Sequence, residues 1–223
     1  MNSVDKYPED KFLDRYVTEE GEREVIWNFD YHKKYTFTSL WMLFFTFSVG
    51  GWLWEVAYHW FSRGELVNRG ALHGPWVPIY GTGAVLIAAL LWRWVDRPLR
   101  VFVSIIVISA VVEYSTSYVL EKIKGIRFWD YSKDFMNLNG RIYMEGLIFF
   151  GLGGCIVLYL LAPMLEELYK KIADKVKWFL LLVLTILFLI DVIYSFNNPN
   201  KGNGVTYVKQ TKHTIEIKEQ VPI

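Results

Sequence analysis

The sequence predicts an all-α integral membrane protein, a five-helix transmembrane bundle with a polar N-terminal tail and a C-terminal β-hairpin. Three observations predict it. The 223-residue chain is 53% hydrophobic. Five apolar segments, each close to the roughly 20 residues a helix needs to cross a bilayer, follow one another between residues 36 and 197. Aromatic residues make up 17% of the chain, with ten Trp and fourteen Tyr, the types that gather at the headgroup level. The formal net charge of +1 gives no electrostatic case for a nucleic acid partner. A single cysteine, Cys155, excludes an internal disulfide and reads as a small core residue.

Residues 1–35 read as a soluble acidic tail, too polar for a cleavable signal peptide. Val25, Ile26, Trp27, Phe29 and Tyr31 fit a short amphipathic helix on the membrane surface. The membrane domain follows over 36–197. Its first span covers about residues 37–61 and carries Glu55 and His59 four apart, on one helix face. The second covers about 77–95 and ends in Trp92-Arg93-Trp94, an interfacial anchor. Asp96-Arg97-Pro98 makes a tight turn, with Pro98 opening the third span, about 99–120. A polar loop over 121–141 leads to the fourth span, about 142–163, whose Gly146, Gly151, Gly153 and Gly154 permit close helix approach. Residues 166–177 read as a charged link, and the fifth span covers about 178–196. Over 198–223 a soluble tail alternates apolar and polar residues, VTYVKQ then TIEIKE, which reads as an exposed β-hairpin.

Acids inside apolar spans point to function, because an ionised group at the bilayer centre costs at least about 2.5–3.5 kcal/mol. Glu55, Glu113 and Asp191 lie late in spans one, three and five, and Glu145 lies early in span four. Alternating span direction puts all four in one leaflet. The polar stretch 69–83, with Arg69, His73, Pro75, Pro78 and four glycines, opens on that side, as does the loop carrying Asp130 and Arg141. The expectation is one polar chamber open to one face, with separate structural ion pairs such as Arg69–Glu55 and Arg141–Glu113 as the simpler alternative. The stretch 69–83 fits a broken or re-entrant helix, or an ordinary tight loop before a Pro-initiated helix. Glu55 and His59, with His73, have the donor types of a divalent-metal site without a metal-binding motif, and no metal or other cofactor is assigned. Carboxylates beside His73 leave open a membrane-embedded enzyme acting on a lipid or isoprenoid, with no catalytic residue assigned. A scaffold or sensor working through its tails is the third reading.

The chain carries Gly51-x-x-Trp54-Glu55, Asn68-Arg69-Gly70-x-x-x-Gly74-Pro75, Pro78-Ile79-Tyr80-Gly81-x-Gly83, Glu113-Tyr114, Trp129-Asp130-Tyr131-Ser132 and Asn137-x-Asn139-Gly140-Arg141. This set resembles the bacterial CmpB-type "putative ABC transporter permease" family over about residues 40–195. The resemblance implies a multi-pass protein of the bacterial cytoplasmic membrane. Joined to the acid count, it implies a permease component whose solute, small and polar or ionic, meets Glu55, Arg69, His73, Tyr80, Glu113, Asp130, Asn139, Arg141 and Asp191. It also implies a separate ATPase subunit, since the chain has no G-x-x-x-x-G-K-[ST] phosphate loop. The bilayer itself is a partner, and a homo-oligomer stays open. Basic residues near the span ends divide evenly between the two sides. Setting aside Arg69 and Arg141 as held in the site places the N-terminus inside.

Overall fold

The computed structural model describes residue 32, residues 34–125 and 127–200, and the strand residues 207–211 and 214–218. The acidic tail over 1–31, with its amphipathic run, lies outside the described residues, as does the chain over 201–206. Among the described residues, four helical stretches are long and apolar enough to cross a membrane: Phe37–Arg63, Pro98–Lys124, Met144–Lys170 and Asp174–Asn197.

Helix α1 (Phe37–Arg63) starts where Thr36 caps it, the Ser39 amide donating to the Thr36 hydroxyl at 3.2 Å. It stops at Gly64, left-handed at φ 75°, whose amide donates back to the Trp60 carbonyl. Helix α2 (Pro78–Leu91) has 14 residues and continues as one 3-10 turn, Trp92–Trp94. This is shorter than the span expected over 77–95, and α2 is not among the four long helices. Pro78 sets its start, because its ring lacks the N–H and presets the helical φ. The preceding Val77 amide donates to the Ser48 carbonyl at 2.9 Å. So α2 begins beside the middle of α1, about 22 Å from its C-terminal end by the helical rise. It then runs back along α1, and its end returns to the side where α1 begins. There His32 Nε2 meets Asp96 Oδ1 at 3.1 Å.

Helix α3 (Pro98–Lys124) outlasts the expected third span by a turn and ends at Gly125, left-handed at φ 63°. Helix α4 (Met144–Ile156), a π-helical segment (Val157–Leu161) and helix α5 (Ala162–Lys170) are continuous. The charged link expected from residue 166 therefore begins only after Lys170. Pro163 did not end the helix, because the wider π turn just before it absorbs the missing N–H and the clash with the preceding carbonyl. Glu166 and Tyr169 are buried, and the Tyr169 hydroxyl lies 2.7 Å from Thr46 Oγ1 of α1. Helix α6 (Asp174–Asn197) follows. Strands β1 (Tyr207–Thr211) and β2 (Thr214–Lys218) pair antiparallel.

Helix α1 packs on α2, α5 and α6, while α3 packs on α4, and α2 joins the two groups. One core gathers around Leu43, Phe45, Trp76, Ala162 and Leu181, and a second around Ile87, Leu91, Val101, Ile105 and Leu158. Small residues set both approaches. A Cβ on Gly81 would press into the Phe44 carbonyl and the Ser48 hydroxyl, and one on Gly154 into Ile105. Helix α6 is held by one face only. The Trp41 indole donates to Thr185 Oγ1 at 3.0 Å, and the Phe188 ring sits 5.5 Å from Phe44 and 5.7 Å from Trp76.

Candidate functional site

The stretch opening on Arg69 is non-helical up to Val77, where α2 takes over. Residues 64–77 fold down along α1 from its C-terminal end to the level of Ser48. Backbone leaving a helix at such depth has to find partners inside the protein. Asn68 supplies one set, its Oδ1 accepting from the Trp52 indole at 2.6 Å and its Nδ2 donating to the His73 carbonyl at 2.7 Å. Asn200, beyond α6, donates to the carbonyls of Asn68 and Gly70, both at 3.0 Å, and of Leu72 at 3.3 Å. Gly70 turns the chain at φ 96°, a conformation other residues rarely adopt.

Asp191 completes this closure. Its Oδ2 accepts from the Gly74 amide at 2.9 Å and the Trp76 indole at 2.6 Å. Its Oδ1 accepts from the His73 amide at 3.2 Å and from Ser195 Oγ at 3.0 Å. The His73 ring is 2.9 Å from the same Ser195 hydroxyl. Asp191 and His73 thus tie α6 to the loop.

Glu55 is placed differently. Its Oε2 pairs with Arg69 Nε at 3.4 Å, and its Oε1 accepts from the Tyr80 hydroxyl at 3.1 Å. The pair borders a polar cavity of about 430 Å³ lined also by His59, Ser62 and Arg63. Tyr80 packs its ring against Gly51 and, with Trp54, borders a second cavity of about 660 Å³. That cavity lies between α1, α2, α3 and α4 and is lined by Phe47, Ile79, Ile87, Phe150 and Val157. Glu113, buried, is the one carboxyl on its wall. Tyr131 reaches in from the loop after α3 and lies beside Glu113. Burial, with the nearby Glu113 carboxyl second, pushes the Tyr131 phenol up.

The rest of that loop forms its own network. Arg141 Nη2 pairs with Glu121 Oε2 at 2.6 Å, and its Nη1 donates to Ser117 Oγ at 3.0 Å. Arg127 bridges Glu121 at 3.0 Å and Asp130 at 3.5 Å. Asp130 Oδ1 accepts from the Ser132 amide at 3.0 Å, and Asn139 Nδ2 donates to the Tyr114 hydroxyl at 2.9 Å. The Trp129 indole donates to the Arg141 carbonyl at 2.9 Å. Asp130, Asn139 and Arg141 therefore hold the loop on the end of α3, and line neither cavity. Arg141 pairs with Glu121, not with Glu113 as the simpler sequence alternative had it.

Among the described residues, two adjoining cavities have Glu55, Arg69, Tyr80 and Glu113 on their walls, and two polar networks shape the loops around them. Glu145 stands exposed in the first turn of α4, where its charge favours the helix N-terminus. Sequence reasoning missed Glu121 and Arg127. Gly125 was the available signal: as a left-handed cap it extends α3 by a turn and carries Glu121 onto the face of Ser117.

Neither a curated protein nor a solved structure matches the chain. A family model does, the one described as "Putative ABC-transporter type IV", over residues 42–196. The match runs from the first turns of α1 to the last turn of α6 and takes in both cavities and, Asn200 apart, both networks. With four helices long and apolar enough to cross a bilayer, the chain is a multi-pass membrane protein, and it belongs to this ABC-transporter family.

Proposed function

We propose that the chain is the membrane-embedded permease component of a transporter, and that its solute is ionic and binds at Glu55, Arg69, Tyr80 and Glu113. The observation behind this reading is the position of Tyr80. It donates to Glu55 on one side and borders the cavity holding Glu113 on the other, so charged groups from α1, α3 and the loop meet at one ring. Buried carboxylates facing a cavity between membrane helices are costly unless they serve a ligand or an ion. His73, Asp130, Asn139, Arg141 and Asp191 act in this reading as positioning residues.

The chain crosses the bilayer five times in this reading, α2 together with the loop over 64–77 making the second crossing. With the N-terminus inside, the polar cavity opens to the outer face, and residues 1–35 and 198–223 are soluble flanks on opposite sides. The ATPase is a separate subunit. The turn after α5, flanked by Lys170, Lys171, Lys175 and Lys177, is the short basic segment available to meet it on the inner face.

The test compares solute content in cells lacking the gene, complemented with the parent chain, Glu55→Gln or Glu113→Gln. Both variants should insert and fold yet lose uptake. Normal uptake by both would end the proposal.

A further inference from the structure

The eight glycines of the described helices divide into two kinds. Gly51, Gly81, Gly146, Gly151 and Gly154 each have neighbours that a Cβ would strike. Gly50, Gly83 and Gly153 have nothing within 4 Å of where a Cβ would stand. Glycine inside a helix is destabilising, and at these three positions no protein neighbour requires it. All three line the cavity of about 660 Å³, from α1, α2 and α4. Its volume falls in the range of about 300–1,000 Å³ usual for ligand sites. The wall is apolar apart from Glu113 and Ser109. At its rim Trp54 is 67% exposed and Ile156 53% exposed, so the cavity opens sideways to the lipid.

The adjoining polar cavity has a different character. Among the residues lining it, the guanidiniums of Arg63 and Arg69 face a single carboxylate, Glu55. His59 also lines it, is 6% exposed, and its Nε2 has no hydrogen-bond partner among the described residues. A buried polar atom without a partner is rare and points to a ligand atom. Trp54 and Tyr80 belong to both cavities, so the two adjoin at these rings.

We infer that the site binds an anionic single-chain lipid, its chain in the glycine-lined cavity and its phosphate or carboxylate head against Arg63, Arg69 and His59. This rests on reading the two cavities as the ligand site of the proposed permease. Guanidiniums hold such a head with paired charge-assisted hydrogen bonds, and the chain removes its apolar surface from contact with water.

The full-length protein in phosphatidylcholine nanodiscs is titrated with lysophosphatidic acid, lysophosphatidylcholine and inorganic phosphate. Saturable binding of lysophosphatidic acid is expected, with lysophosphatidylcholine weaker by about tenfold or more, as loss of a charge-assisted contact implies. Inorganic phosphate should not compete. Equal binding of the two lysolipids, or none of either, overturns the inference on the parent protein alone. Competition by inorganic phosphate overturns the role of the chain. Gly83→Leu and Gly153→Leu fill the cavity where a Cβ meets nothing, and should keep the thermal unfolding midpoint while abolishing binding. A folded Gly153→Leu or Gly83→Leu that binds like the parent also overturns it. Lipid binding without any transport would refute the permease reading and leave this inference standing. Solute uptake that survives both leucine variants would do the reverse.

Discussion

Asp191 offers the sharpest test of how the non-helical loop is held. Asp191→Ala leaves the His73 and Gly74 amides, the Trp76 indole and the Ser195 hydroxyl without their acceptor. A hydrogen bond to a charged group contributes about 1.5–3 kcal/mol, but four on one half-exposed carboxylate do not add. The loss is about 3–4 kcal/mol, since backbone amides at this depth have little water to turn to. Asp191→Asn is informative because it is nearly isosteric. An amide keeps one acceptor oxygen and turns the other into a donor. In one orientation the new NH2 faces the Gly74 amide and the Trp76 indole; flipped, it faces His73 N and Ser195 Oγ. Either way donors oppose donors, and the cost is about 2–3 kcal/mol. Ser195→Ala removes only one of the four and costs about 1 kcal/mol. The measurement is reversible unfolding in mixed micelles with rising dodecyl sulfate, followed by helicity. If Asp191→Ala costs under about 1 kcal/mol, the loop is not held through this carboxylate, and the argument from unsatisfied amides fails.

Two glycines only two residues apart, on opposite sides of α2, should respond in opposite ways. Gly81→Ala pushes a methyl into the Phe44 carbonyl and should destabilise by about 1–3 kcal/mol, while Gly83→Ala should stabilise by up to about 1 kcal/mol in the same unfolding assay. Arg141→Gln strands part of the Glu121 charge on the end of α3. With Arg127 still paired to Glu121, the cost should be about 2–3 kcal/mol, and a double-mutant cycle with Glu121→Gln should recover most of it. Tyr131 gives a pH signature. Its phenol is raised in the folded protein from an ordinary value of 10.0, so its contribution is complete below about pH 10 and is lost as pH rises further, when only the unfolded chain ionises. Unfolding measured on the alkaline side should steepen for the parent chain and less so for Tyr131→Phe.

Hydropathy alone located the long helices, because a stretch that must face lipid declares itself residue by residue. The starts at Pro78 and Pro98 were legible for a similarly local reason, and the stops at Gly64 and Gly125 would have been, had the left-handed caps been used. Pro163 misled for the opposite reason. Proline ends most helices, and only the packing of α5 on α1, with Tyr169 bonded to Thr46, made a π turn the better solution.

How the nine polar residues singled out from the sequence group in space was not readable. Residue type and span count placed Glu55, Glu113 and Asp191 inside the membrane domain, since a lone carboxylate there is costly wherever the chain folds. Which partner each takes is a different kind of fact. Asp191 meets Gly74 and Trp76 more than a hundred residues earlier in the chain, and Arg141 takes Glu121 in preference to Glu113. Those choices depend on helix approach, and here the approach is set by glycines such as Gly81 and Gly154 whose neighbours lie on other helices. The same holds for the empty volume beside Gly50, Gly83 and Gly153. A glycine that admits a neighbouring helix and one that keeps space open are identical in sequence, and they differ only in what stands opposite the missing Cβ.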